Sequence, residues 1–459
     1  MSQMELPVDF LPLMQQQWGA QMAEELCASL SATDPSVSVR LNPQKAPVSH
    51  LPYERVPWCP DGFYLPLRPA FTFDPLLHAG AYYVQDASSM FLSHIIGQYV
   101  SVPVVALDLC AAPGGKSTLL RSCLPQGSLL VSNEPMRQRA QVLVENMIKW
   151  GNPYTVVTQN YPADFTPLSN FFDLIVTDVP CSGEGMFRKD EQAIRDWSLQ
   201  NVDLCWRRQR DILQSIWPTL KPGGLLVYST CTFNRFEDED NVQWIASHLG
   251  AEVLSVPVQT HWNICGEYHF LPGRIRGEGQ FMAVLRKDAG NGNAQPYNAR
   301  PFKMSPAKSE PKALRQWVGD GFSFFMEKDE YQAFPAEYMP QLAALRSGLN
   351  VLASGVRLAV MKGKDWQPSH SLAMSTSCCK DCFPVADISY EQALAYLRHE
   401  SLQIDAPKGY VLLSYANLPL GFVKNIGNRA NNLYPAEWRI RSGYTTPFSL
   451  FSSAQEHTV

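Results

Sequence analysis

No apolar stretch in these 459 residues approaches the roughly 18 needed to cross a bilayer. A membrane is therefore not an expected partner. An excess of positive charge is also missing: 38 Lys and Arg face 43 Asp and Glu, for a net charge of −5. A chain with that balance is not drawn to nucleic acid as a whole, so RNA binding has to come from local basic patches. The opening MSQMELPVDFLPLMQQQ carries Glu5 and Asp9 early and lacks the basic-then-apolar layout of a secretory leader. Eleven cysteines, an odd count spread from Cys27 to Cys382, do not read as a disulfide framework. Reduced thiols in a cytoplasm are expected. No internal repeat or low-complexity tract alters the layout.

Three fingerprints are incomplete in ways that exclude functions. CAAPGGKST, residues 110–118, ends like a phosphate-binding loop, and FDLIVTD, ending in Asp178, imitates the acidic strand of such proteins. The pattern G-x-x-x-x-G-K-[ST] needs glycine at 110, however, and Cys110 stands there. A triphosphate clamp is not expected. The dinucleotide pattern G-x-G-x-x-G is absent at the same turn, which argues against a nicotinamide cofactor. SCCKDC, residues 377–382, holds a single C-x-x-C with only His370 nearby, so no metal site is expected.

What is present is alternation. Residues 102–286 switch between strand-like apolar runs and helical patterns, the signature of parallel βαβ units. The strand candidates are VPVVALDLC, GSLLVSNEP, YTVVTQ, FDLIVTDVP and GGLLVYSTCTF, and RQRAQVLVENMIKW is a helix candidate. The fold class is α/β, a doubly wound, mostly parallel Rossmann-like sheet. A small N-terminal α+β domain over 1–80, with one helical pattern from Phe10 to Leu30, precedes a catalytic domain over 81–288. Residues 289–312, rich in Gly, Pro, Asn and Lys, read as a linker. A small α+β domain (313–385) and a terminal RNA-binding module (386–459) follow.

In a doubly wound sheet, ligands sit at the carboxyl ends of the strands. The loop after the first strand candidate lies there, and Ala111, Ala112, Gly114 and Gly115 let its backbone approach a ligand closely. Glu134 ends the second strand candidate, twenty positions after Gly114, the usual spacing for an acid that accepts from ribose hydroxyls. A nucleoside is held this way. Cys181 and Cys231 each follow directly on a strand candidate, so both thiols are expected at the same edge. A lone free cysteine is commonly a small core residue; two beside one nucleoside pocket suggest a nucleophile. One chemistry needs a thiolate beside a methyl donor, namely methylation of carbon-5 of a pyrimidine. The thiolate adds to carbon-6, the enamine-like carbon-5 accepts the methyl, its proton leaves, and the thiolate is eliminated. Asp178, three residues before Cys181, is placed to stabilise charge at ring nitrogen-3.

LDLCAAPGGKST, DVPCSGEGMFRKD and KPGGLLVYSTCTFNRFEDE resemble the signature motifs of the Nol/Nop/Sun family of RNA cytosine-5 methyltransferases. The similarity covers residues 10–286, including SVRLNPQK and GAYYVQDASSM. CSGEGMFRK is particularly similar to the subgroup acting on small-subunit ribosomal RNA, and GFVKNIGNRANNLYPAEWRIR resembles the end of that subgroup's terminal, PUA-like module. The resemblance implies that Cys231 is the nucleophile and that Cys181 assists product release. It implies that Cys110, Ala111, Ala112, Pro113, Gly114, Gly115, Lys116 and Glu134 contact S-adenosylmethionine, with Asp178 near both donor and base. The implied partner is ribosomal RNA, free or in the small subunit, met by a monomer. The same chemistry on transfer RNA, or a catalytically silent assembly factor, stays open. Family members often carry an Asp after the third strand that meets the adenine; TQNYPADF has Asn160 or Tyr161 near that position and Asp164 further on.

For RNA, residues 421–443 interleave Lys424, Arg429, Arg439 and Arg441 with Phe422, Tyr434 and Trp438, a pattern suited to phosphate contact with base stacking. Arg188 and Lys189, just past Cys181, read either as a phosphate contact or as a surface pair. CWRRQRDIL, residues 205–213, reads as a solvated helix face.

Overall fold

The computed structural model describes residues 5–32, 35–46, 51–266, 268–290, 312–327, 329–363, 365–443 and 447–451. The expected linker falls for most of its length outside them. Near the N-terminus, Phe10–Trp18 (α1) and Ala20–Ala32 (α2) are two helices where the sequence reads as one. The break is Gly19, at φ 83° and ψ 159°, a backbone conformation no helix contains. Val37–Leu41 (β1) then pairs antiparallel with Gly62–Leu65 (β2) and Tyr82–Val84 (β3). Arg40, 1 % exposed, ties this small sheet to the next unit by donating to Gln85 Oε1 (2.8 Å) and Thr118 Oγ1 (2.6 Å).

Short runs rich in Val, Leu and Ile form the central sheet, because β-branched and aliphatic side chains pack well on both faces of buried parallel strands. Val105–Asp108 (β4), Leu129–Asn133 (β5), Thr155–Thr158 (β6), Phe172–Asp178 (β7) and Leu220–Thr230 (β8) run parallel. Ala251–Leu254 (β9), His269–Phe270 (β10) and Gln280–Lys287 (β11) add antiparallel pairings beyond β8. The path β10-β11-β8-β7-β4-β5-β6 leaves β4 in both directions, so the carboxyl ends of β4 and β7 frame the crevice at the switch point. Alternation decides the two layers. Ala106 packs toward Gly115–Cys123 (α3) and Arg137–Trp150 (α4), in a core with Leu120 and Leu143. Leu107 faces Leu199–Ile216 (α5) and Met339–Gly348 (α6), in a core with Leu213 and Leu342.

Phe322–Glu327 (β12), Glu330–Pro335 (β13), Val356–Lys362 and Asp365–Pro368 form an antiparallel four-stranded sheet. Between its second and third strands, Val351–Ser354 (β14) leaves that sheet and pairs antiparallel with β6, Val351 opposite Thr158 and Ser354 opposite Val156. Residues that the sequence assigns to a separate small domain thus finish the central sheet. With Val356–Lys362 as β15 and Asp365–Pro368 as β16, a last sheet follows: Val385–Asp387 (β17), Gly409–Tyr415 (β18), Leu418–Asn425 (β19) and Ala430–Asn432 (β20). No helix among the described residues is long and apolar enough to cross a membrane.

Candidate active site

β4 ends at Asp108 and α3 begins at Gly115, so residues 109–114 reverse the chain at the crevice. Gly114 makes the reversal with φ 119°, where a Cβ would also press on Asn146 Cβ at 3.3 Å and Leu143 Cδ1 at 3.4 Å. Side chains hold the loop in place: Arg139 donates to the Ala112 carbonyl (2.8 Å) and Asn146 to the Pro113 carbonyl (2.7 Å). The Ala111 N–H donates to the Asn133 carbonyl at 2.8 Å. Burial, then the carboxylate of Asp108, pushes the Cys110 thiol up, so it stays protonated and is no rival nucleophile.

Glu134 follows β5 and is 2 % exposed; its Oε1 accepts from the Met136 N–H at 3.0 Å, and Arg139 lies 3.5 Å from Oε2. A cavity of about 200 Å³ opens beside the loop, lined among others by Tyr83, Gln85, Ala111, Lys116 and Asp178. Lys116 Nζ stands 2.7 Å from Asp178 Oδ2, and Ser229 Oγ donates to Asp178 Oδ1 at 2.9 Å. Burial alone would lower the Lys116 ammonium, but Asp178, Asp108 and the nearby Cys231 carry it above the usual lysine value. Asp108 is fully buried, accepts from Ser117 Oγ at 2.6 Å, and leaves Oδ1 without a partner; burial holds its carboxyl at about 7. Small residues, a buried acid at the ribose spacing and a paired lysine and aspartate fit a sulfonium-bearing amino-acid nucleoside.

Cys181 and Cys231, fifty residues apart in sequence, meet with Sγ atoms 3.1 Å apart, and the Cys231 N–H points at Cys181 Sγ at 3.3 Å. Their hydrogen bond, then burial, raises the Cys181 thiol well above the usual cysteine value. Two glycines let the segments that follow the thiols pack closely against the start of β11. A Cβ on Gly185 would meet the Gly279 carbonyl oxygen at 2.5 Å, and one on Gly279 would meet Phe233 at 2.3 Å.

Behind the thiols lies a buried polar network that the sequence reading missed. Glu237 accepts from the Ser182 N–H (3.0 Å), Gln209 Nε2 (2.6 Å) and Asn234 Nδ2 (2.8 Å). Glu184, also fully buried, accepts from Trp197 Nε1 (3.0 Å) and the Phe233 N–H (2.7 Å). Burial, with Glu184 adding to it, holds Glu237 at about 7. Acids and amides inside otherwise soluble-looking loops after each cysteine were the available signal. Gln209 belongs to the basic stretch 205–213, so only the outer side of α5 is solvated.

Several expectations are corrected. Arg188 is neither a phosphate contact nor a surface residue: its side chain is 5 % exposed and pairs with Glu278 at 2.9 Å. Lys189 is held by Asp86 at 3.1 Å. Phe422 and Tyr434 are each 1 % exposed, Phe422 inside β19 against Phe383 and Tyr434 after β20 against Tyr396 and His370, so neither offers a ring to a base. Trp438 is half-buried against His370, leaving Arg429, Arg439 and Arg441 as the exposed part of that stretch. Asn160 is buried and Tyr161 is 64 % exposed, while Asp164 accepts from the Tyr161 N–H at 2.8 Å and caps the turn. Among the described residues, Asp238, Glu239 and His269 also gather histidine with carboxylates. His269 Nε2 lies 3.0 Å from Glu239, while Nδ1 stands 3.7 Å from Asp238, beyond hydrogen-bond reach.

Residues 103–286 match the family model described as 16S rRNA methyltransferase RsmB/F. Residues 6–87 match the N-terminal domain of 16S rRNA methyltransferase RsmF, and 383–440 the methyltransferase RsmF PUA domain. The ribosomal RNA small subunit methyltransferase F of Shewanella frigidimarina is 30 % identical over 83 % of this chain and 85 % of its own. That of Cronobacter sakazakii is 30 % identical over 94 % and 96 %. Among solved structures, NSun6 from Pyrococcus horikoshii with SFG is similar in fold, with a TM-score of 0.53 and 18 % identity over 62 % of this chain and 99 % of that one.

Proposed function

The chain belongs to the small-subunit ribosomal RNA methyltransferase F family, and from that premise we propose that it methylates carbon-5 of a cytosine in small-subunit ribosomal RNA through a covalent Cys231–cytosine adduct. The methyl donor is S-adenosylmethionine, which supplies an electrophilic methyl group on a sulfonium. The observation that carries the reading is the pair of thiols 3.1 Å apart beside Asp178 and Lys116.

In this reading Cys110 to Lys116 and Glu134 hold the cofactor, Glu134 taking the ribose hydroxyls. Cys231 Sγ adds as thiolate to carbon-6, and the Lys116 ammonium favours the anion before attack. As negative charge develops at ring nitrogen-3, the Lys116–Asp178 pair, steadied by Ser229, supplies the proton that neutralises it and takes that proton back when Cys231 is eliminated. Once Cys231 is bonded to carbon, the thiol–thiol hydrogen bond that raised Cys181 most is gone. Cys181 then assists release: the carbon-5 proton passes to solvent as base, the carbon-6–sulfur bond breaks, and Cys231 leaves as thiolate, which restores the pair. The target base must quit its stack to reach the pocket, at a cost of a few kcal/mol. The proposed domains follow the sequence reading except that β14, within 313–385, belongs to the sheet of the catalytic domain; the terminal module contributes phosphate contacts, and the reaction is placed in the cytoplasm.

Denaturing gels of Cys181→Ala and Cys231→Ala with small-subunit ribosomal RNA and labelled cofactor test this. A covalent protein–RNA band should build up in Cys181→Ala and be absent in Cys231→Ala. Methyl transfer that survives Cys231→Ala would overturn the assignment.

A further inference from the structure

The segment after β6 stands where the family often carries an acid, yet Asn160 turns its side chain away from the crevice and toward the C-terminal region. Its Oδ1 accepts from the Asn350 N–H at 3.0 Å, and its Nδ2 donates to the Asn350 carbonyl at 3.4 Å. Asn350 is the residue before β14, and its carbonyl also accepts from the Gln159 N–H at 3.0 Å. On its other side Asn160 is gripped by Asn133, the last residue of β5. Asn133 Oδ1 accepts from the Asn160 N–H (3.0 Å) and Thr158 Oγ1 (2.9 Å), while Nδ2 donates to the carbonyls of Asn160 (2.9 Å) and Leu109 (3.0 Å). The Asn133 carbonyl in turn receives the Ala111 N–H. An unbroken run of hydrogen bonds therefore leads from Asn350, through Asn160 and Asn133, to the loop that opens the crevice.

We propose that Asn160 is a positioning residue that makes the C-terminal region part of the cofactor pocket. The inference rests on the reading of this crevice as the S-adenosylmethionine site. In a doubly wound sheet the base of a nucleoside lies beyond the acid that takes its ribose, toward the end of the next strand. Here the turn at 159–161 follows that next strand, and its backbone is fixed from inside by Asn133 and from outside by Asn350, the residue before β14. A side chain at 160 needs one donor and one acceptor at this length, because it pairs with both backbone groups of a single residue. Aspartate lacks the donor and alanine lacks both. Docking of β14 and the shape of the cofactor wall are consequently one arrangement, and linkage requires each to strengthen the other.

The full-length protein and Asn160→Ala are compared by titration calorimetry with S-adenosylmethionine, by RNA binding, and by the methylation rate at saturating cofactor. Loss of two positioning hydrogen bonds should weaken cofactor binding about tenfold. RNA affinity and the saturated rate should stay within about twofold, a split that general loosening of the fold does not produce. In the wild type, adding cofactor should also slow amide hydrogen exchange across 351–354, a measurement that needs no variant. A variant that binds cofactor like the wild type, an equal loss of RNA affinity, or exchange in 351–354 indifferent to cofactor would each overturn the inference. Wild-type protein that fails to bind cofactor would overturn the underlying reading, and this inference with it.

Discussion

The ends of β7 and β8 and the interior of β19 both carry residue types that invite a functional reading, reactive thiols in one case and an aromatic among basic residues in the other. They differ in where strand geometry leaves the side chains. Cys181 and Cys231 come after the last residues of their strands, where the chain has left the ladder and opens on the crevice. Phe422 sits inside β19, between β18 and β20, and is packed away against Phe383 and Leu412. Composition treats the two alike. Position relative to the strand end separates them: chemistry lies past the end, packing within.

The comparison breaks most visibly if Cys231 is dispensable. Cys231→Ala should lower methyl transfer by at least about a thousandfold with the thermal midpoint nearly unchanged, since a nucleophile has no substitute. Phe422→Ala should do the reverse, costing about 3–5 kcal/mol in denaturant unfolding, as for a buried ring replaced by a cavity. Under conditions where that variant is folded, its RNA affinity should be preserved. A selective loss of RNA binding would return Phe422 to the surface role.

Acid should separate the two regions in opposite directions. Burial, then Lys149, Lys45 and His78, holds His370 beside Trp438 at about 3, below the ordinary histidine value of 6.5. The unfolded chain takes a proton there as pH falls through 6.5 that the folded chain refuses, so this junction weakens on acidification. Burial holds Asp108 and Glu237 at about 7, above ordinary values of 3.8 and 4.5. Their folded forms keep protons that the unfolded chain has lost, so the stability they confer is full below those ordinary values and fades as pH rises toward 7. Between pH 7 and 5, hydrogen-exchange protection, corrected for the intrinsic slowing of exchange in acid, should fall at 370–374 and 434–438 and rise around 108 and 237. The smallest effect concerns phosphate contacts. Arg429→Ala and Arg439→Ala should each reduce the salt dependence of single-stranded RNA binding by about 0.7 in log–log slope, the share of one lost contact.

Much of the central sheet was legible because alternation of short apolar runs with amphipathic helices is local information; RQRAQVLVENMIKW became Arg137–Trp150 residue for residue. The place of the loop at 110–116 and of the two cysteines at the sheet edge was legible because each directly follows a strand candidate. The pairing of β14 with β6 was not, since a four-residue strand carries no mark of a partner some two hundred positions earlier. Nor was the role of Glu237, Glu184 and Gln209, because polar residues in loops are indistinguishable from solvated ones until the fold surrounds them. Arg188 failed for the same reason: its partner, Glu278, lies 90 positions away.

The crossing of β14 back to β6 sets an order of events during synthesis. Strands β4 to β11 can assemble as they emerge, but β6 keeps one row of backbone donors and acceptors open until residue 354 has been made. At about 5–20 residues per second, that interval lasts roughly 10–40 s. Throughout it, Val156 and Val157 lie on an unpaired edge able to template another nascent chain. Shielding of that edge, by a chaperone or by the ribosome's own surface, would be needed early in the life of each molecule and become unnecessary once the chain has returned.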